Sequence, residues 1–402
     1  MEKGKHILMV MPVMHGGGAE RVAALLLNEF HKCGHHCEFM LTHDKLETVI
    51  RNDLASDIPL IFLQDFFSTQ NSLDRTWTTI LKIVGSLFCK FFEFFHLPIP
   101  ACFAYISFIG QYHREIHALH DVLKRQPDTT VITFLQPSIP IVMLAARGLP
   151  NRVVFSERGD ARRLMSHRYG KPFIRKYYQR ADAAVFQTEE ARNTYPKNIA
   201  AKGSIIINPL KANLSDPFMG ERRKVINTFC RISKQKNLMV LLKAFHLLHE
   251  KHPQYRLHII GDALNDEGKA VLVELKQFVK ANQLDEAVSF LPFTSSVHQE
   301  IIADAMYVNS SDYEGISNAM LEAMAIGLPV ICTDCPIGGA KAIIHDHENG
   351  ILVSVRDAKA LANSMIEVIE NKKLSQRLSI NGEKICAELN ILNIAKQWIL
   401  II

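Results

Sequence analysis

Twice along this chain, short β-rich apolar runs alternate with amphipathic stretches, and that alternation limits the folds open to it. In the first half the runs are residues 6–12, 37–43, 59–64, 130–135, 152–156, 182–187 and 204–208, separated by helical patterns at 19–32, 114–125, 139–147 and 171–180. Ile116, Leu119 and Leu123 recur at three and four residues, which is one face of a helix. Strands that are apolar on both faces and alternate with helices predict a parallel sheet covered on both sides. The second half repeats the style, with runs at 225–232, 255–261, 288–293, 306–309, 329–332 and 350–355 and helices at 238–251, 268–281, 297–305, 319–326 and 358–370. At 402 residues the chain exceeds one typical core.

The reading is therefore α/β, with two Rossmann-like, doubly wound domains. An N-terminal domain spans 1–208 and a C-terminal domain 209–385, with a final helical segment, 386–402, expected to return to the first domain. The linker falls in 209–223, where Pro, Gly, Asn and charge replace apolar runs. Open α/β sheets bind ligands beyond the carboxyl ends of their strands, so two facing sheets predict an interdomain cleft.

Composition narrows the classes. A net charge of +5 is mild at this length, and no nucleic-acid module accompanies it, so nucleic acid is not an expected partner. The eight cysteines are scattered without a framework, which fits a reducing compartment better than a disulfide scaffold. Cys332 and Cys335 form a C-x-x-C, and Cys33 and Cys37 lie among His31, His35 and His36. The two pairs are far apart in sequence, so structural cysteines are expected rather than a metal site. The first residues carry no cleavable signal pattern, which predicts a cytoplasmic protein.

One stretch breaks the rhythm. Residues 80–109, within an insertion at about 66–112, are rich in Phe where a short connection would suffice. Residues 94–111 carry no Lys, Arg, Asp or Glu, yet Pro98 and Pro100 interrupt them. The readings are an interfacial membrane anchor, a buried insertion and a span, and the first is preferred. Residues 158–180 hold eight Lys or Arg and one acid, Asp160, and add a basic surface for anionic headgroups.

The passage richest in chemistry is 310–330, SSDYEGISNAMLEAMAIGLPV. It starts where a strand ends. Ser317 or Asn318 can cap a helix that opens at Ala319, and a helix N-terminus suits a diphosphate. Glu314 precedes that helix and Glu322 lies on it. Residues 15–22, HGGGAERV, follow the first strand with a glycine turn that lets backbone approach phosphate. A G-x-G-x-x-G fingerprint is absent, because Arg21 occupies its third glycine position. Residues 231–238, RISKQKNL, close the first strand of the second half with Arg231 and Lys236.

This ordered set resembles the retaining family-4 glycosyltransferases of the GT-B fold, bacterial polysaccharide and lipid-linked glycan type. Glu314 and Glu322 match the family's E-x7-E pair, and the string from Gly315 to Val330 matches throughout. Gly17, Gly18 and Glu20 match its G-G-A-E loop, Arg231 and Lys236 its G-R-x-x-x-x-K-N string, and Pro292 the strand bordering the base. Glu157 and Arg158 match an S-E-R turn. Departures are Cys230 for the usual Gly, Ala263 for a second Gly, and Lys341-Ala342 where many members carry Glu.

The resemblance implies a metal-independent hexosyl- or N-acetylhexosaminyltransferase. Its donor would be a nucleotide sugar, UDP-linked by family likeness. Gly17, Gly18, Pro292, Ser317, Asn318, Ala319 and Glu322 would bind that donor, with Glu314, Arg231 and Lys236 catalytic. Glu157, Arg158 and Glu20 would contact donor or acceptor. The expected acceptor is a lipid-linked saccharide at the inner face of the cell membrane, and domain closure would exclude water. Alternatives are the same fold on a soluble acceptor, a UDP-sugar epimerase and a non-catalytic scaffold.

Overall fold

The computed structural model describes residues 4–14, 17–43, 53–67, 72–95, 97, 100–160, 162, 174–211, 214–218, 220–294 and 296–402. His15 and Gly16 of the glycine turn, and 161 and 163–173 of the basic stretch, lie outside them. The chain forms two compact units, one made of Met1–Pro209 with Ile391–Ile402 and the other of Leu210–Asn390. The returning segment thus begins at Ile391, five residues after the predicted 386.

Among the described residues the first unit holds seven strands: β1 (His6–Met11), β2 (His36–Leu41), β3 (Leu60–Phe62), β4 (Thr129–Phe134), β5 (Val153–Ser156), β6 (Ala183–Phe186) and β7 (Gly203–Ile205). Every pairing is parallel, in the order β3-β2-β1-β4-β5-β6-β7. All six residues of β4 are buried, as two-sided cover requires. Helix α1 (Gly18–Lys32) turns Val22, Ala23, Leu26, Leu27 and Phe30 into the core at helical spacing.

The Phe-rich insertion is two helices, α2 (Ser72–Phe94) and α3 (Ala101–Arg125), packed as a hairpin. The uncharged window at 94–111 is therefore divided between a helix end, a turn and a new helix. No helix of the described residues is long and apolar enough to cross a membrane. The predicted helix at 114–125 is the second part of α3, which continues through a kink at Tyr112 (φ −118°, ψ 22°). Helix α4 is Ser138–Ala145, wholly buried.

The chain's last helix, Ile391–Ile399, fixes Trp398 fully inside the first unit, its ring 5.7 Å from that of Phe134 on β4. Lys5 Nζ donates to the carbonyl of Ile402 at 2.6 Å and Arg152 Nη2 to that of Ile401 at 2.8 Å.

Among the described residues the second unit has six strands: β8 (Arg223–Phe229), β9 (Arg256–Ile260), β10 (Val288–Leu291), β11 (Asp304–Asn309), β12 (Val330–Thr333) and β13 (Ile351–Val353). They too are all parallel, ordered β10-β9-β8-β11-β12-β13. Chain direction across the sheet reverses between β8 and β11, and their carboxyl ends make the crevice where such sheets bind ligands. The helices Leu238–Lys251 and Ala358–Glu370 share a core with these strands through Leu241, Phe245, Leu361 and Met365.

Trp398→Ala should cost roughly 3–5 kcal/mol by opening a cavity in the first unit. Thermal unfolding followed by circular dichroism should show a lowered midpoint, and an unchanged midpoint would refute the anchoring role.

Candidate active site

Two loops meet at the β8/β11 crevice of the second unit. The first follows β8. Its strand end lies so close to the neighbouring loop that a Cβ at Gly261 would sit 2.0 Å from the carbonyl oxygen of Cys230. Gly261 itself has φ 142°, so glycine is required there, and Cys230 is accommodated where the family pattern has Gly. Arg231 is exposed beyond it. The loop then makes a tight 3-10 turn, Lys234–Lys236, and Asn237 enters the left-handed region at φ 42°. Asn tolerates that conformation better than most residues. Its side chain donates from Nδ2 to Asp312 Oδ1 at 2.7 Å, stitching this loop to the second one.

The second loop follows β11. Ser310 donates from Oγ to the carbonyl of Lys236 at 3.0 Å, and Asp312 N donates to the carbonyl of Gln235 at 2.9 Å. These cross-links bring Lys236 Nζ into contact with Glu314 Oε1, 78 residues apart in sequence. Glu314 has further donors: Ser311 Oγ at 2.9 Å and Gln235 Nε2 at 3.2 Å. Burial works against the Lys236 ammonium, but the adjacent Glu314 carboxylate outweighs it and raises its pKa above the ordinary lysine value. Lys236 therefore remains charged at neutral pH.

The loop ends on the helix Asn318–Ala325, one residue ahead of the predicted start at Ala319. Of the two capping candidates, Ser317 serves: its Oγ accepts from Met320 N at 3.3 Å. Asn318 and Ala319 occupy the first turn and are half-buried. Glu314, Gly315, Ser317, Thr333, Cys335 and Ala340 line a small recess beneath this helix end. The recess is close-walled, since a Cβ at Gly339 would lie 1.6 Å from the carbonyl oxygen of Gly315. Cys335 donates from Sγ to the carbonyl of Ser311 at 3.0 Å. Burial pushes its thiol up to about 12, so the C-x-x-C here holds protonated thiols that support the loop.

Glu322 is buried on the same helix, and His298, from the short helix Val297–Ile301, meets it at 2.9 Å between Nε2 and Oε2. Sequence reasoning missed His298, Gln235 and Ser311. A lone His at the start of a five-residue helix carries no periodic signal. Gln and Ser in loops do not reveal which carboxylate they will meet. Pro292 is exposed just beyond β10, where Phe293 N donates to Asp262 Oδ1 at 3.3 Å.

The remaining sequence candidates belong to the first unit. Gly17 caps α1, and a Cβ there would meet Glu20 Oε2 at 2.3 Å. Glu20, buried in the first turn of α1, is thus seated against the glycine backbone, and Gly18 begins the helix. Glu157 and Arg158 follow β5, but their side chains do not pair with each other. Glu157 Oε2 accepts from Tyr195 OH at 2.6 Å, while Oε1 accepts from the backbone N–H groups of Arg158 and Gly159, each at 3.0 Å. Burial raises the pKa of this carboxyl. Arg158 donates from Nη1 to Asn208 Oδ1 at 2.5 Å and lies 4.4 Å over the Phe134 ring.

Among the described residues, His6, His36 and Glu38 converge on β1 and the start of β2. His6 is already engaged on both nitrogens, Nδ1 with Thr129 Oγ1 at 2.8 Å and Nε2 with Glu38 Oε2 at 3.1 Å.

Removing the space at Gly339 should be costly. Gly339→Ala has to displace the Gly315 backbone, and we expect a lowered unfolding midpoint. Ser317→Ala should cost about 1 kcal/mol through the lost cap. Stability at the wild-type level in both variants would contradict the loop geometry described.

Known proteins resemble this chain in sequence and in fold. Residues 215–385 match the family model for glycosyl transferases group 1. A chain 22% identical over 403 residues, with 98% of both chains covered, is the GalNAc-alpha-(1->4)-GalNAc-alpha-(1->3)-diNAcBac-PP-undecaprenol alpha-1,4-N-acetyl-D-galactosaminyltransferase of Campylobacter jejuni. An uncharacterized glycosyltransferase of Haemophilus influenzae is 25% identical over 218 residues, and the match spans 60% of its length and 54% of this chain. In structure, HepE of Anabaena in complex with UDP superposes with a TM-score of 0.76 at 17% identity over 98% of both chains. TarM does so with a TM-score of 0.75 at 12% identity, covering 99% of this chain and 98% of its own. The fold is GT-B, and the family-model match to the second unit supports a group 1 glycosyltransferase.

Proposed function

We propose that this chain is a retaining glycosyltransferase that moves a hexosyl or N-acetylhexosaminyl group from a UDP-sugar to a lipid-linked saccharide. The observation that carries the reading is the meeting of Lys236 with Glu314 beside the Ser317-capped helix end. A diphosphate on that helix end would receive backbone N–H groups and the positive end of the helix dipole. Arg231 and Lys236 would face it and stabilise the negative charge that builds on the leaving group. Lys236 can turn from Glu314 to phosphate without stranding the carboxylate, because Ser311 and Gln235 still donate to Glu314. Glu314 would then hold the sugar. Glu322, oriented by His298, would accept from the ribose hydroxyls.

In the transfer, the bond from the anomeric carbon to the diphosphate breaks and one to the acceptor oxygen forms on the same face. The acceptor's hydroxyl proton passes to the departing diphosphate. These steps need no metal ion, and the residues named supply the charge.

The acceptor class is supported by the Campylobacter relative, whose name specifies an undecaprenol-linked substrate. The UDP donor is supported by the UDP complex of HepE. The reading places the enzyme peripherally on the cytoplasmic face of the cell membrane. Gly17, Gly18 and Glu20 would complete the donor site, Pro292 would border the base, and Glu157 and Arg158 would meet donor or acceptor.

Pure protein incubated with UDP-, GDP- and ADP-sugars should release free UDP from one donor when membrane lipid extract is present. Lipid-independent release would favour a soluble acceptor or epimerase chemistry, and release from no donor would sink the reading. Glu314→Gln and Lys236→Ala should each lower turnover by roughly 10²–10³. Glu314→Gln should leave UDP affinity within about threefold of wild type, since one neutral acceptor replaces a charged one away from the nucleotide. Full activity in either variant would remove that residue from the mechanism.

A further inference from the structure

The insertion hairpin is built back to front for a soluble surface. Helix α2 meets α3 through its smallest residues. A Cβ at Gly85 would lie 2.5 Å from Ser107 N, and one at Gly110 would lie 2.4 Å from Lys82 N. Cys89 and Ser107 are buried in the same seam, and the Phe92 and Phe103 rings stand 5.7 Å apart near its end. Such small-residue seams let two helix backbones approach closely.

The large residues point the other way. Ile80, Ile83, Leu87, Phe91 and Phe94 recur at three and four residues along α2, on the side opposite Gly85 and Cys89. All five are exposed, Leu87 at 61%, Phe91 at 53% and Phe94 at 78%. Phe95 and Leu97 extend the patch past the helix end. A contiguous apolar patch of this extent marks an interaction surface.

Charge identifies the occupant. Lys82, Ser86, Lys90 and Glu93 form a polar flank along the length of α2, so the helix is suited to lie along an apolar boundary rather than through it. Across the hairpin, Phe88 stacks on Phe103 at 4.5 Å, and two residues later along α3 Tyr105 stacks on Tyr177 at 5.3 Å. Around Tyr177 stand the cations of Lys176 and Arg180, 5.6 and 5.0 Å from its ring, and both residues are exposed. The Tyr105–Tyr177 stack thus brings these two cations beside the hairpin. An apolar face rimmed by positive charge complements an anionic bilayer, where acyl chains take the first and headgroup phosphates the second.

We infer that α2 lies flat in the interface of an anionic lipid bilayer, with Ile83, Leu87, Phe91 and Phe94 among the acyl chains and Lys82, Lys90, Lys176 and Arg180 at headgroup level. This names the element that would hold the enzyme where its lipid-linked acceptor is presented, and in that respect it rests on the proposed function. Its test uses neither donor nor acceptor.

The full chain is sedimented with phosphatidylcholine vesicles, with and without phosphatidylglycerol. Strong binding to the anionic vesicles, weakened by salt, is expected. A Leu87→Glu/Phe91→Glu variant should bind them at least about tenfold more weakly, because it removes apolar area and adds like charge. Its circular dichroism and UDP affinity should be unchanged. Lys82→Glu/Lys90→Glu should lose only the preference for anionic vesicles. Absence of wild-type binding, or equal binding by the Leu87/Phe91 variant, overturns the inference. So does a solution dimer, seen by light scattering, that this variant breaks without affecting vesicles, since the face then covers a second copy. Vesicle binding without lipid-dependent transfer would instead sink the proposed function and leave this inference standing.

Discussion

Everything at the candidate site depends on two loops tied together at the reversal point of a parallel sheet. Parallel strands covered on both faces cannot expose their sides, so chemistry is confined to their carboxyl ends. In the second unit β8 and β11 are neighbours, and the loops that leave them run side by side. Ser310 on the Lys236 carbonyl, Asp312 N on the Gln235 carbonyl and Asn237 on Asp312 bind one loop to the other. With those bonds in place, Lys236 and Glu314 have little choice but to meet.

That meeting resolves a problem of buried charge. An ammonium removed from water is costly unless a carboxylate accompanies it, and a carboxylate needs donors of its own. Glu314 collects three donors from three residues, so its position does not depend on the ion pair alone. Glu322 follows the same logic with His298. In the first unit, Glu157 is secured by Tyr195 and two backbone N–H groups. Glu314, Glu322 and Glu157 are thus each held in part by groups that the motifs do not mention.

The insertion follows a different rule. Elsewhere large apolar side chains face a sheet and small or polar ones face water. In α2 the order is inverted, and glycine and cysteine fill the seam while leucine and phenylalanine face outwards. The uncharged window at 94–111 is consistent with several structures by composition alone. It was the turn after Phe94 and the restart at Ala101 that made it a hairpin. Hydrophobicity summed over a window has no direction, whereas packing does.

The alternation of apolar runs and amphipathic stretches, with strands buried on both faces, was enough to specify two parallel, doubly wound sheets. The helix cap within 310–330 was legible as a local pattern, and the family resemblance marked Lys236, Glu314 and Glu322 as a candidate site. Only the tertiary structure chose Ser317 over Asn318 as the cap and began the returning segment at Ile391. It alone revealed His298, Gln235 and Ser311 as partners and turned the apolar face of α2 outwards. The meetings of Gln235 with Glu314 and of His298 with Glu322, and the packing of α2 on α3, depend on contacts between residues far apart in the chain. Such contacts are fixed by which backbones can approach, as at Gly85, Gly261 and Gly339, and linear spacing does not encode them.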